Sequence, residues 1–323
     1  MNKYSNPLRR FPALLATAAL LALSGCGYKQ PEGEIQGAAG FAIAAERAIS
    51  GLQRKVVQID GFEVPYLQGG KGEPLVLIHG FGGSKDNFNR VAYYLTNHYT
   101  VYAIDVPGFG ASTRDMNADY VINTQIDRVH EIIEKLGLKQ PHIGGNSMGG
   151  WISGAYAAKY PDNVASIWFL APAGLLESRK SEVIQKFEKT GEIVLTASNR
   201  EEFEKIVDVV MFKRPAFAPG FVVEAMAARA AADQTLHQRI YKDFKSVPSD
   251  MATALSTSNY KGPALIVWGK EDRVLHVDGA AELKTAMPGF DVILMDQVGH
   301  VPMMEKPEQV AADYVKWREA VAK

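Results

Sequence analysis

Several things are scarce in this chain of 323 residues. It has one cysteine, Cys26, so no disulfide can form within it. It has no surplus of charge: 35 Lys and Arg stand against 36 Asp and Glu, a formal net charge of -1. Phosphate backbones are bound by excess Lys and Arg, so this balance excludes any electrostatic reason to expect nucleic acid. There is no internal repeat, low-complexity tract or long run of one charge. No G-K-[ST] follows a G-x-x-x-x spacing, so the glycine-rich stretch around Gly80 lacks the signature of a phosphate loop. What remains, 47% hydrophobic and 22% charged residues, is globular and long enough for one large domain or two modest ones.

The N-terminus reads differently. Lys3, Arg9 and Arg10 precede "FPALLATAALLALSGCG", an apolar run too short for a comfortable membrane span. A positive region, an apolar region and then small residues is the order of a secretory signal. The run ends in Leu23-Ser24-Gly25-Cys26, which resembles a bacterial lipobox, and Cys26 is the expected lipidation site. The residues around Arg9-Arg10 fit twin-arginine export poorly. The expectation is an exported lipoprotein, held to a membrane of the cell envelope (the outer membrane) through lipidated Cys26. "GYKQPEGEIQGAAG" then has linker composition, and "FAIAAERAISGLQRK" is helical in period.

Further on, strand-like and helix-like runs alternate. "KVVQIDGFEVPYLQGG" reads as a hairpin. "PLVLIHG", "TVYAIDVPG", "PHIGGNS", "VASIWFLAPAG", "PALIVWGK" and "DVILMDQVG" read as strands, most of them near-continuous aliphatics. Helical patterns separate them, one ended by Gly137 and another before Pro161. Alternation with buried aliphatic strands predicts an α/β fold, a mostly parallel sheet covered on both faces. Residues 175–260 break the rhythm with helical patterns only, too long for a simple crossover. They read as a helical cap inserted between two strands; ordinary core helices of a larger domain are the alternative. The expected division is a leader (1–25), a lipidated tether with a lead-in helix (26–53), a core in two pieces (54–174 and 261–323) and the cap (175–260).

Gly145-Asn146-Ser147-Met148-Gly149 fits G-x-S-x-G between an aliphatic strand and a helix. A nucleophile on that turn sits in strained backbone, and side chains two residues away on either side would collide, hence the glycines. A serine hydroxyl needs a base, and the base needs orienting. His300 follows the last strand, on a loop at the end of the sheet where ligands bind. Asp272, after "PALIVWGKE", is the expected acid, with Glu271 its solvated neighbour; no carboxylate follows "LAPAG" until Glu177. An oxyanion would be met by the backbone N–H groups of Met148 and Phe81. His79 is expected to hold the Phe81 loop by hydrogen bonds. His98, His130, His142, His237 and His276 read as structural or solvated.

Together "HGFGGSKDNF", "DVPGFGAST", "GGNSMGG", "YAAKYPDNV", "APAGL", "WGKEDRV" and "VGHVPMMEKPE" resemble the α/β-hydrolase superfamily. Within it they are most similar to the group of bacterial cold-active lipases and animal monoacylglycerol lipases. The resemblance runs from about Val56 to the C-terminus and is weakest across the cap. It implies the α/β-hydrolase fold with an eight-stranded sheet, and a catalytic triad of Ser147, Asp272 and His300. It also implies an oxyanion hole at Phe81 and Met148, a lipid ester as substrate, and no metal or organic cofactor. Trp151 and Met303 are candidate substrate-binding residues, and Met211, Phe212, Phe217 and Phe221 could line an acyl tunnel or pack inside the cap. Serine at the elbow argues against dehalogenases and epoxide hydrolases of this fold, which carry aspartate there. Carbon-carbon hydrolases and cofactor-free haloperoxidases share the triad and stay open, as does a non-catalytic lipoprotein that binds lipid.

Overall fold

The computed structural model describes residues 29–214, 219–246 and 250–322. Cys26, the leader and Phe217 lie outside the described residues. Among the described residues, no helix is long and apolar enough to cross a membrane.

The first helix among the described residues, α1 (Gly37–Ile49), gives way to an antiparallel hairpin of β1 (Leu52–Ile59) and β2 (Phe62–Gly70). The helical pattern predicted to run on through Lys55 stops at Ile49. Gly51 takes a left-handed backbone (φ 71°), which ends a helix at little cost for glycine, and Leu52 to Lys55 pair in the sheet instead. Next come β3 (Glu73–Ile78), α2 (Asn89–Leu95) and β4 (Tyr99–Ile104). In α3 (Ile122–Lys135) the buried Ile122, Ile126, Val129 and Ile133 fall at three- and four-residue spacing, one face of the helix. Then follow β5 (His142–Ser147), α4 (Met148–Lys159) and β6 (Ser166–Pro172). Among the described residues, four helices come before the next strand: α5 (Glu182–Thr190), α6 (Arg200–Val210), α7 (Gly220–Ser246) and α8 (Met251–Thr257). The chain ends with β7 (Ala264–Gly269), α9 (Gly279–Ala286), β8 (Asp291–Met295), α10 (Pro302–Glu305) and α11 (Pro307–Val321).

The strands form one eight-stranded sheet in the order β1-β2-β4-β3-β5-β6-β7-β8. From β4 onward every pairing is parallel. Each residue of β5, β6 and β7 is buried, as expected of parallel strands covered on both faces. One face packs on α3, α4, α8 and α9, around Ile126, Ile152, Leu255 and Leu283. The other packs on α2 and α11, around Val91, Leu95, Tyr314 and Trp317. The C-terminal ends of β3, β5, β7 and β8 therefore open at one rim, beneath α6 and α7.

The segment before α1, whose composition predicts a linker, is docked. Glu34 is buried and its carboxylate receives Arg47 (2.6 Å), Arg54 (2.8 Å) and the ammonium of Lys85 (2.9 Å). Burial alone would raise its pKa, but Lys85 and Arg47 hold it below the ordinary carboxylate value. Lys85 is itself buried and pairs with the fully buried Asp105 (2.8 Å). Composition reports the glycines and polar residues of such a segment, whereas one buried carboxylate decides where it sits.

Candidate active site

Ser147 ends β5 and precedes the first residue of α4, with φ 54° and ψ -117°. This backbone region costs a non-glycine residue roughly 1–3 kcal/mol and persists only where the surroundings enforce it. A Cβ on Gly145 would lie 2.2 Å from the Gly149 carbonyl carbon, and one on Gly149 would lie 2.0 Å from the Ile78 carbonyl oxygen. Glycine at both positions is thus a steric requirement of the turn. The Phe81 loop presses on the same place: a Cβ on Gly80 would sit 3.2 Å from the Ser147 Cβ.

His300 and Asp272 meet. The imidazole Nδ1 lies 2.8 Å from Asp272 Oδ2, both side chains being buried. That oxygen also accepts from Trp268 Nε1 (3.0 Å), while Oδ1 accepts from the backbone N–H groups of Val274 (2.8 Å) and Leu275 (2.9 Å). With the carboxylate oxygen as acceptor, Nδ1 is the donor of this bond, and in the neutral ring that tautomer leaves the lone pair on Nε2. His300 lines the same cavity as Ser147. Asn146, beside the serine, donates to the His300 carbonyl oxygen (2.9 Å) and to that of Leu170 (2.9 Å), which ties the elbow to the histidine loop.

His79 is wholly buried, with Nδ1 donating to the Gly80 carbonyl (2.7 Å) and Nε2 accepting from the Val106 N–H (3.1 Å). Burial pushes its pKa down, so the ring is a neutral fastening for the Phe81 loop. Glu271, expected to be solvated, instead accepts from the Val298 N–H (3.0 Å) and returns a backbone bond to the Val298 carbonyl (3.1 Å). It pins the strand end that delivers His300.

The cavity has a volume of about 240 Å³. One wall is the docked N-terminal segment, with Gly33, Ile35 and Ile43; another is the helical insertion, with Leu195, Phe203, Ile206 and Met211. Two expected substrate-binding residues are elsewhere. Trp151 packs against Phe244 (6.2 Å between rings) and against Gly174, away from the cavity. Met303 is buried in the core beneath α11, and its neighbour Met304 faces the cavity instead. One helical step of about 100° separates the two, a phase that the sequence of a four-residue helix does not define. Phe212 is half exposed and Phe221 partly buried, and neither lines the cavity. His237, read as structural or solvated, lines it. Its ring stacks on Phe109 (4.8 Å) and lies 5.6 Å from Phe81, and burial pushes its pKa down to about 4. No sequence signal marked it, since it sits within a long alanine-rich helix. Among the described residues, no group of three or more His, Cys, Asp or Glu side chains converges as a metal site.

A fold of this topology with a serine on the β5 elbow defines a class, and comparison with known proteins names it. The alpha/beta hydrolase fold family matches residues 73–307, and the chain belongs to that family. The chain is similar to Lipase 1 of Psychrobacter immobilis, 37% identical over 280 residues covering 85% of this chain and 87% of that one. It is also similar to monoacylglycerol lipase ABHD6 of Homo sapiens, 28% identical over 276 residues and 82% of each chain. Among solved structures it resembles a membrane phospholipase A described as a bacterial virulence factor. That likeness has TM-score 0.85 and 34% identity, over 97% of this chain and 99% of that one.

Proposed function

We propose that the protein is a serine hydrolase of lipid-like carboxylic esters, working through an acyl-enzyme. The observation that carries this is the His300–Asp272 bond of 2.8 Å beside a strained Ser147, with Ser147 and His300 opening on one cavity. His300 Nε2 takes the proton of the Ser147 hydroxyl as Oγ attacks the ester carbonyl. The backbone N–H groups of Met148 and Phe81 meet the negative charge that develops on oxygen. The imidazolium, steadied by Asp272, then protonates the departing alcohol. Water, activated in turn by His300, releases the acid and frees the serine. The apolar insertion residues on the cavity wall suit an acyl chain. The likeness to a lipase, a monoacylglycerol lipase and a membrane phospholipase A supports a lipid ester. Structural neighbours such as a meta-cleavage product hydrolase, at 21% identity, share the fold alone.

A fluorophosphonate probe tests the reading. The protein should be labelled, Ser147→Ala should not, and short and long p-nitrophenyl esters and a monoacylglycerol should be hydrolysed. Turnover of a dienoic diketone with none of the esters would overturn it. Lipidation of Cys26 and envelope anchoring belong to the same proposal. Cys26→Ser should release the protein from membranes; retention there would favour an uncleaved anchor.

A further inference from the structure

Where the insertion touches the catalytic rim, one carboxylate sits between them. Glu305, the last residue of α10, points back at the His300 loop. Its Oε1 accepts from the Gly299 N–H (2.8 Å). Its Oε2 accepts from the backbone N–H groups of Phe212 (2.8 Å) and Lys213 (3.2 Å), just past the end of α6. A second bond crosses the same seam, from the His300 N–H to the Val210 carbonyl (2.8 Å). The fit is close: a Cβ on Gly299 would lie 2.7 Å from the Phe212 nitrogen and 2.8 Å from the Val210 oxygen.

We propose that Glu305 is a positioning residue that couples the 210–213 corner of the insertion to His300, so that the imidazole is held in register only while that corner is seated. The proposal rests on the reading of Ser147 and His300 given above. Only a carboxylate offers an acceptor oxygen to each side of the seam at once. An amide of the same shape would turn its NH2 toward either Gly299 or the Phe212–Lys213 pair, and one side would be left facing a donor. Burial raises the Glu305 pKa, a cost set against the backbone donors around it and so the mark of a group held for its geometry. On this account, lifting the corner off the rim lowers the reactivity of Ser147. A lid that merely covers a finished site would do the opposite.

The test compares wild type, Glu305→Gln, Lys213→Pro and the double variant. Lys213→Pro removes one donor from the insertion side and leaves the carboxylate in place. The measurements are kcat and KM on a short p-nitrophenyl ester, the rate of fluorophosphonate labelling and thermal unfolding. Glu305→Gln should lower kcat and the labelling rate together by tenfold or more, with KM within twofold. Lys213→Pro should lower both in the same direction, and the double variant should be no slower than Glu305→Gln. Glu305→Gln with kcat within twofold of wild type would overturn the coupling. If Glu305→Gln does not fold, Lys213→Pro decides: a native labelling rate overturns the proposal and a reduced one supports it. A wild-type protein that resists the probe would instead sink the hydrolase reading itself.

Discussion

The rim of the sheet and the helical insertion above it are built by different rules. Every residue of β5, β6 and β7 is buried, and Asp272 receives four hydrogen bonds at their ends. In the insertion, α5 buries only Val183 and α6 buries nothing. The ion pairs around α6, Arg214–Asp208 and Arg200–Glu224, stand in solvent, where such pairs contribute little. Those at the foot of the rim, Lys85–Asp105 and Arg47–Glu34, are buried. The groups assigned to bond-breaking thus sit where the backbone cannot yield, and the wall that would meet the acyl chain sits where it can. Changes at the rim should therefore be large and all-or-none, and changes in the insertion small and graded.

The largest effect belongs to His300. His300→Ala should lower kcat on esters by about 10⁴-fold or more. It should leave the fold intact, because Asp272 keeps Trp268 and two backbone donors. Steady-state kinetics beside circular dichroism checks both halves. A folded variant that keeps a tenth of wild-type kcat would show that another group is the base.

The same contrast governs what the sequence discloses. The elbow is legible because sterics leave no choice: glycine at 145 and 149 follows from contacts near 2 Å. The strands are legible because double-sided burial demands aliphatics. Met304 in place of Met303, the displacement of Trp151 and the arrival of His237 at the cavity are not legible. Each depends on the phase of a helix against a neighbour chosen by the tertiary fold. Glu34 is hidden for another reason. A carboxylate in a polar, glycine-rich segment looks solvated until Lys85 and Arg47, distant in sequence, are placed beside it.

Next in size is the buried ion cluster. Asp105→Ala leaves the buried Lys85 ammonium with Glu34 and Asp86 but without its fully buried partner, and removes the acceptor of the Lys85 and Ala111 backbone N–H groups. Breaking a buried pair costs roughly 3–5 kcal/mol. Breaking the exposed Arg214–Asp208 pair with Asp208→Ala should shift stability by no more than about 0.5 kcal/mol. Urea unfolding of both variants measures the contrast, and equal effects would dissolve it. A smaller change is expected at the cavity edge. His237 has its pKa lowered to about 4 by burial. As pH falls from about 6.5, the unfolded chain binds a proton that the folded ring refuses, so native stability is lost between about pH 6.5 and 4. The full window is worth roughly 2–3 kcal/mol. His237→Phe should lose that much less stability than wild type over the same range, and parallel pH profiles would show that the ring is already solvated.

A small effect on stability, and the one that probes the insertion as a wall, is expected at Phe203. It lies on α6, partly buried, and lines the cavity. Because α6 buries none of its residues, Phe203→Ala should destabilise the protein by less than about 1 kcal/mol, well below the 3–5 typical of a core phenylalanine. The ring's absence should be felt instead by the substrate. An acyl chain long enough to reach it loses apolar contact, whereas a short one never had it. The ratio of kcat/KM for a long over a short p-nitrophenyl ester should therefore shift by roughly tenfold, the scale on which apolar pockets discriminate. Labelling of Ser147 by a small fluorophosphonate should stay within twofold of wild type, since nothing at the rim has moved. An unchanged ratio with a fall of several degrees in Tm would make α6 part of the folded core and leave the acyl chain to some other wall.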